Sequence, residues 1–380
     1  MRIAVLKERA AGEARVAITP ETVRKFAALD YTVAIEKGAG RQASFPDALY
    51  SEAGAEIFAA AGAVRGADIV LAVQAPEPEL LKGAADGAMV VAMFDPHNRA
   101  DLISALAEAG LEAVAMELMP RITRAQSMDV LSSQSNLAGY KAVLAAANHY
   151  GRAFPMMMTA AGTVQAARVF VMGVGVAGLQ AIATARRLGA QVSATDVRSA
   201  TREQIESLGA KPVFVENVEG IAGEGSGGYA GETSEEYRIA QAELVSSHIA
   251  KQDILITTAL IPGRAAPRLV SDAQIATMKA GSVIYDLAVA HGGNVEGSKA
   301  DTLVDRHGVT VIGYRNTPAT MPTDASALYA RNLYNFIAAF RDADSGNVVL
   351  DEEIGNAVRL TRGGAVVHPD FGMEPAKANR

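Results

Sequence analysis

The sequence predicts an α/β fold: two Rossmann-like domains with parallel sheets, joined by interdomain helices. Three observations carry that expectation. Strand and helix signals alternate along most of the chain. A GxGxxG turn, Gly173-Val174-Gly175-Val176-Ala177-Gly178, lies between a strand and a helix. The 380 residues are too many for one ordinary domain and enough for two, each able to bury its own core.

Residues 3–7 read as the first strand. Thr19-Pro20-Glu21 then supplies an N-cap, a Pro at the first helical position and a first-turn acid, for a helix running to about Leu29. Strands follow at 31–36, 68–73, 88–94 and 111–117, with a helix from Asn98. From Pro120 to Asn136 the texture becomes polar and Ser-rich without a period. A helix over 137–150 then places Leu137, Tyr140, Val143, Leu144 and Ala147 on one face. The second block has strands near 168–172, 191–195, 253–258, 282–288 and 309–313. A last helix over 324–340 carries Tyr329, Leu333, Phe336, Ile337 and Phe340 at helical spacing. The tail after it is too short for a third domain, so the chain is expected to return to the first. The domains expected are 1–131 with 324–380, and 132–323.

The glycine turn is the strongest chemical signal. Gly173 permits a tight turn, Gly175 lets the backbone approach a pyrophosphate, and Gly178 lets helix and strand pack closely. Asp196 ends the next strand, 18 residues past Gly178, where a carboxylate can bond the adenosine ribose hydroxyls. That acid favours NAD over NADP because it repels a 2′-phosphate; Arg198, two residues on, works the other way. Gly38-Ala39-Gly40-Arg41-Gln42-Ala43 fits the same loose pattern, but Ser44-Phe45-Pro46 interrupts any helix there. The chain is therefore expected to carry one dinucleotide site.

Other chemistry is sparse. A net charge of −7 with no basic tract argues against nucleic acid. The chain has no Cys, hence no disulfide framework and no thiolate chemistry. No run reaches the roughly 18–20 apolar residues that span a bilayer, so direct membrane insertion is not expected. The six His residues show no metal-ligand spacing, and His291, just past a strand end, is the best catalytic candidate among them. The run from Arg121 to Asn136 reads either as a solvated, N-capped loop or as a polar clamp over a nicotinamide. Gly220 to Gly231, with Tyr229 its one aromatic, reads either as a surface insertion or as a lid.

Several runs resemble a known family. Ala115-Met116-Glu117-Leu118-Met119-Pro120-Arg121, Ser132-Ser133-Gln134-Ser135-Asn136-Leu137-Ala138-Gly139-Tyr140, the run from Phe154 to Val164, and Thr257-Thr258-Ala259-Leu260-Ile261-Pro262-Gly263 look like the NAD(H)-binding component of proton-translocating nicotinamide nucleotide transhydrogenase. The resemblance covers essentially the whole chain. It implies that Arg121, Asp129 and Ser132 hold the NAD(H) nicotinamide. Gln126 would reach the ribose of NADP(H) on a partner domain, and Tyr229 would close the mobile loop. Val197 and Arg198 beside Asp196, and Ala259 and Leu260, would add cofactor contacts. It further implies a homodimer, peripheral on the cytoplasmic face of the inner membrane. The membrane-spanning subunits and the NADP(H)-binding domain would be on separate polypeptides, because the chain stops at Arg380.

Alanine dehydrogenase shares the architecture, and the opening Lys7-Glu8 and Arg15-Val16-Ala17-Ile18-Thr19-Pro20 suits both families. An amino-acid dehydrogenase needs a Lys and a His to bind and protonate a keto acid. Here Gln74 stands where the Lys is expected, and His97 falls two places late, after Asp95-Pro96. Arg15 would then be a structural leftover. With one dinucleotide site and no acid–base pair, direct hydride transfer to a second nucleotide is the economical mechanism. It requires the two nicotinamide C4 atoms to approach to about 3–3.5 Å. A third reading is a redox sensor that binds NAD(H) without catalysis.

Overall fold

The computed structural model describes residues 1–215, 235–261 and 263–372. Two compact units emerge, Met1–Gln134 with Ala319–Arg380, and Ser135–Pro318.

The first unit is built on a six-stranded parallel sheet in the order β3-β2-β1-β4-β5-β6. Its strands are β1 Arg2–Val5, β2 Thr32–Glu36, β3 Glu56–Phe58, β4 Ile69–Gln74, β5 Met89–Met93 and β6 Glu112–Ala115. Successive side chains of a strand point to opposite faces, and both faces here are covered. Val5, Ile35, Leu71 and Val91 enter one core, while Ala4, Val70, Val90 and Ala92 enter the other. Sequence reading missed β3, a three-residue edge strand with no buried position. The first helix, Pro20–Ala27, starts as expected, with Thr19 accepting from the Thr22 N–H and Pro20 opening the helix. Helix Pro322–Ala339 buries Tyr329, Leu333, Phe336 and Ile337 in this unit's larger core.

Arg15 is integral to this core. Its guanidinium donates to both oxygens of Glu13, at 2.8 and 2.6 Å, and to the Gln134 side-chain oxygen at 2.8 Å. Arg15, Glu13 and Gln134 are all buried. A buried pair of this kind is tolerated because its donors and acceptors are met.

The second unit carries an antiparallel hairpin, β7 Met157–Thr159 and β8 Gly162–Val164, which exposes Met156, Met157 and Met158. Its seven-stranded sheet has the order β11-β10-β9-β12-β13-β15-β14. The strands are β9 Arg168–Met172, β10 Gln191–Thr195, β11 Lys211–Pro212, β12 Ile254–Thr257, β13 Val283–Asp286, β14 Val304–Arg306 and β15 Val309–Ile312. All pair in parallel except β14, which runs antiparallel to β15. Val169 and Val171 enter one core, Phe170 and Met172 the other. The first strand of the sheet, β9, lies between β10 and β12, which makes its carboxyl end the topological switch point where ligands of such sheets bind.

One expectation is corrected. The Ser-rich run before Leu137 is not irregular throughout: helix Val130–His149 begins at Val130 and takes in Ser132, Ser133, Gln134, Ser135 and Asn136. Ser and Asn are weak helix formers and the run is polar, so the apolar period starts later than the helix does. The segment ahead of it, Thr123–Met128, is a 3-10 turn. Among the described residues no helix is long and apolar enough to cross a membrane, and no group of three His, Cys, Asp or Glu could hold a metal.

Glu117, just past β6, accepts the Phe94 and Asp95 N–H groups on one oxygen, at 2.5 and 2.7 Å. Its other oxygen is buried and finds no partner among the described residues. Burial accordingly pushes its carboxyl up from 4.5 to about 7. A raised acid is a source of stability below its unfolded pKa, and that stability drains away as pH rises through the folded value. Glu117→Gln keeps the accepting oxygen and removes the charge. Chemical denaturation of this variant should match the parent at pH 4 and exceed it by about 1–3 kcal/mol at pH 8. Equal stability of the two proteins at pH 8 would show that the carboxyl is ionised without penalty.

Candidate dinucleotide site

The turn after β9 is built from missing Cβ atoms. Gly173 has φ +97°, and a Cβ there would lie 2.5 Å from the Thr258 hydroxyl, which itself donates to the Gly173 carbonyl at 3.0 Å. A Cβ on Gly178 would fall 1.9 Å from that same carbonyl. Helix Val176–Arg187 therefore begins directly against the strand end. At Gly139 a Cβ would meet the Ala177 carbonyl at 2.0 Å, so helix Val130–His149 also comes close to this first turn.

Gly175 differs from its neighbours. A Cβ there would meet nothing within 4 Å, and no side chain caps the helix it precedes. The uncapped N–H groups and the positive end of the helix dipole face the open space above Gly175, which is what a pyrophosphate requires. The residues present fit a dinucleotide on this ground.

Asp196 follows β10 and is buried. One of its oxygens accepts the Val174 N–H at 2.7 Å, tying the glycine turn to the end of the neighbouring strand. The other accepts the Arg198 N–H and Nε, both at 2.9 Å, and the Arg198 Nη2 reaches back to the first oxygen at 3.0 Å. Val197 between them is half-buried. After β12, Ala259 has its N–H and its carbonyl bonded to Asn294, at 3.0 and 2.9 Å, so its backbone is committed; Leu260 beside it is exposed. Asn294 is in turn placed by Asp286, which accepts its N–H as well as those of Ala288 and Val295. Sequence reading missed Thr258, Asp286 and Asn294. The adjacent Gly292-Gly293, both with positive φ, were the signal that a tight turn delivers Asn294 to the sheet edge.

The polar segment of the first unit is a fixed structure. Asp129 accepts the Ser132 N–H at 2.9 Å and the Ser132 hydroxyl at 2.5 Å, as an N-cap does. Asn332 and Asn335 donate to the Ser127 carbonyl, and Ser133 donates to Asn332. Arg124 pairs with Asp351 and Glu353. Arg121 and Gln126 stand exposed on this frame. Asp129 and Ser132 are thus brought together, with Arg121 and Gln126 on the same segment; the glycines, Asp196, Arg198 and Ala259 share one edge of the second unit's sheet. Tyr229 lies outside the described residues. His291 sits exposed on a 3-10 turn closed by Gly292.

Residues 4–138 match the model for the alanine dehydrogenase/PNT N-terminal domain, and residues 142–369 match that for the C-terminal domain. The chain belongs to the alanine dehydrogenase/PNT family. Within this family it is 50% identical over 380 residues to an NAD(P) transhydrogenase alpha subunit chain of Rhodospirillum rubrum, covering 97% of this chain and 98% of the relative. The solved transhydrogenase of Sinorhizobium meliloti shares 50% identity at a TM-score of 0.86, covering 98% of this chain and all of that one. A solved L-alanine dehydrogenase shares 26% identity at a TM-score of 0.80 and covers 98% of each chain. The alanine dehydrogenase/PNT glycine turn therefore rests on three glycines with different tasks, and substitution separates them. Gly178→Ala should cost about 1–3 kcal/mol or more of stability through overpacking. Gly175→Ala should leave thermal unfolding near the parent's and weaken NADH binding by at least about tenfold, since its φ suits any residue. Thermal melts and NADH fluorescence titrations check both. NADH affinity unchanged in Gly175→Ala would remove the pyrophosphate from this turn.

Proposed function

We propose that this chain is the NAD(H)-binding subunit of a proton-translocating transhydrogenase, working with NADP(H) bound on a partner subunit. One observation supports it above the rest: an open, uncapped glycine turn with its terminal acid, in a chain matching a transhydrogenase alpha subunit along its length at 50% identity. NAD(H), when bound, supplies the hydride.

The chain's own residues do the positioning. The first turn of helix Val176–Arg187 holds the pyrophosphate beside Gly175. Asp196 receives the adenosine ribose. Arg121, Asp129 and Ser132 hold the nicotinamide, and Gln126, on its exposed 3-10 turn, reaches the NADP(H) ribose. The Asp129–Ser132 bond and the Asn332 and Arg124 anchors keep that segment in one shape, so little ordering remains to be done at reaction. Val197 and Leu260 flank the nucleotide; Tyr229 is the residue that closes over it. In this reading the working unit is a homodimer, peripheral on the cytoplasmic face of the inner membrane. Proton coupling belongs to its membrane-spanning partners.

Amino-acid dehydrogenation finds little support. Gln74 donates to Glu13, Arg15 is consumed by Glu13 and Gln134, and exposed His97 meets Phe371 edge to face. Among these residues no acid–base pair is left to serve a keto acid.

Stopped-flow transfer from NADH to an NADP⁺ analogue, with a recombinant NADP(H)-binding component, tests the proposal. Rapid transfer should need both proteins. Gln126→Ala and Asp129→Asn should slow it by about ten- to hundredfold while NADH binding changes little. Tight NADH binding without transfer, or oxidation of L-alanine, would overturn the reading.

A further inference from the structure

The backbone is loosely bonded where the 3-10 turn Thr123–Met128 passes into helix Val130–His149. The Asp129 N–H donates to the Gln126 carbonyl at 3.4 Å, and the Ser133 N–H to the Asp129 carbonyl at 3.3 Å, both longer than an ordinary N–H···O bond. This same junction carries the Asp129–Ser132 pair. Asn332, buried on helix Pro322–Ala339, spans it. The Asn332 amide nitrogen donates to the Ser127 carbonyl at 2.8 Å, and its oxygen accepts the Ser133 hydroxyl at 2.7 Å. A carbonyl only accepts, so the orientation of the amide is fixed.

Stability does not require this amide. Without it the Ser127 carbonyl keeps Asn335 at 3.1 Å, and the Ser133 hydroxyl turns to the Val130 carbonyl, also at 3.1 Å. Neither partner is orphaned, and the large cost of losing a hydrogen bond lies in orphaned partners. What disappears is the bridge. Asn335 holds Ser127 alone, and the Val130 bond stays inside one helix. A buried amide in the apolar stripe of Tyr329, Leu333 and Phe336, which the fold can spare, has its use in geometry.

We infer that Asn332 is a positioning residue for hydride transfer: by clipping Ser127 to Ser133 it fixes the short span that presents Asp129 and Ser132. The inference rests on the function proposed above, in which those two residues hold the nicotinamide. Asn332 itself acts through them and touches no nucleotide.

Stopped-flow transfer from NADH to an NADP⁺ analogue, with the full chain and the recombinant NADP(H)-binding component, tests this. Asn332→Leu keeps the shape of the amide and makes none of its bonds. It should unfold near the parent's temperature and bind NADH within about threefold of it, while transferring hydride about tenfold more slowly at saturating nucleotide. Combined with Asp129→Asn it should add less than about twofold to that variant's loss, because both act through one group of contacts. Asn335→Ala removes a bond to the same carbonyl and leaves the bridge, so transfer should stay within about twofold of the parent. Transfer by Asn332→Leu at the parental rate would overturn the inference, as would losses that multiply in the double variant or an equal loss in Asn335→Ala. Should Asn332→Leu fold poorly, Ser133→Ala opens the bridge from its other end and should slow transfer by about three- to tenfold; a parental rate there would contradict the bridge. Absence of transfer in the parent would instead remove the function on which the inference stands.

Discussion

How closely a helix can approach the end of a strand decides everything at the second unit's carboxyl edge. At Gly178 and Gly139 a single added carbon would lie 1.9 and 2.0 Å from a backbone carbonyl. Their bare backbones let helix Val176–Arg187 start against β9 and let helix Val130–His149 lean on its first turn. The helix dipole and its uncapped N–H groups are thereby delivered to the switch point of the sheet, with open space only above Gly175. The Asp196 bond to Val174 then ties this turn to the neighbouring strand. Two of the glycines therefore serve packing, while the third leaves open space.

Much of this was legible in the sequence, because the physics is local. Gly173, Gly175, Gly178 and Asp196 are recognisable from order and spacing. The doubly covered sheets announce themselves as short apolar runs such as Ile69–Val73 and Val169–Met172, buried on both sides. What escaped was decided by tertiary context. The short edge strand β3 and the exposed hairpin β7–β8 carry almost no burial pattern. The helix start at Val130 was masked by Ser and Asn, which favour caps and turns in isolation. Here Asp129 caps them and Asn332, distant in sequence, holds Ser133.

The candidate site divides in the same way. Asn294 and Asp286 come from beyond β13 and its end, and they order the backbone of Ala259, something no motif announces. Arg15, which reads as a leftover from a keto-acid site, is a buried partner of Glu13 and Gln134. It supports the start of the interdomain helix, and with Gln74 in place of a Lys the keto-acid chemistry has no partner for it. The side chains left exposed on that support, Arg121 and Gln126, are the ones the family resemblance assigns to nucleotide contacts.

The central claim is that this chain carries one dinucleotide site, on the glycine turn of the second unit. Isothermal titration of the full chain with NADH measures it directly. The account predicts a single class of sites with one NADH bound per chain. No binding, or two nucleotides per chain, would contradict it, the second by restoring the Gly38–Gly40 turn as a site of its own.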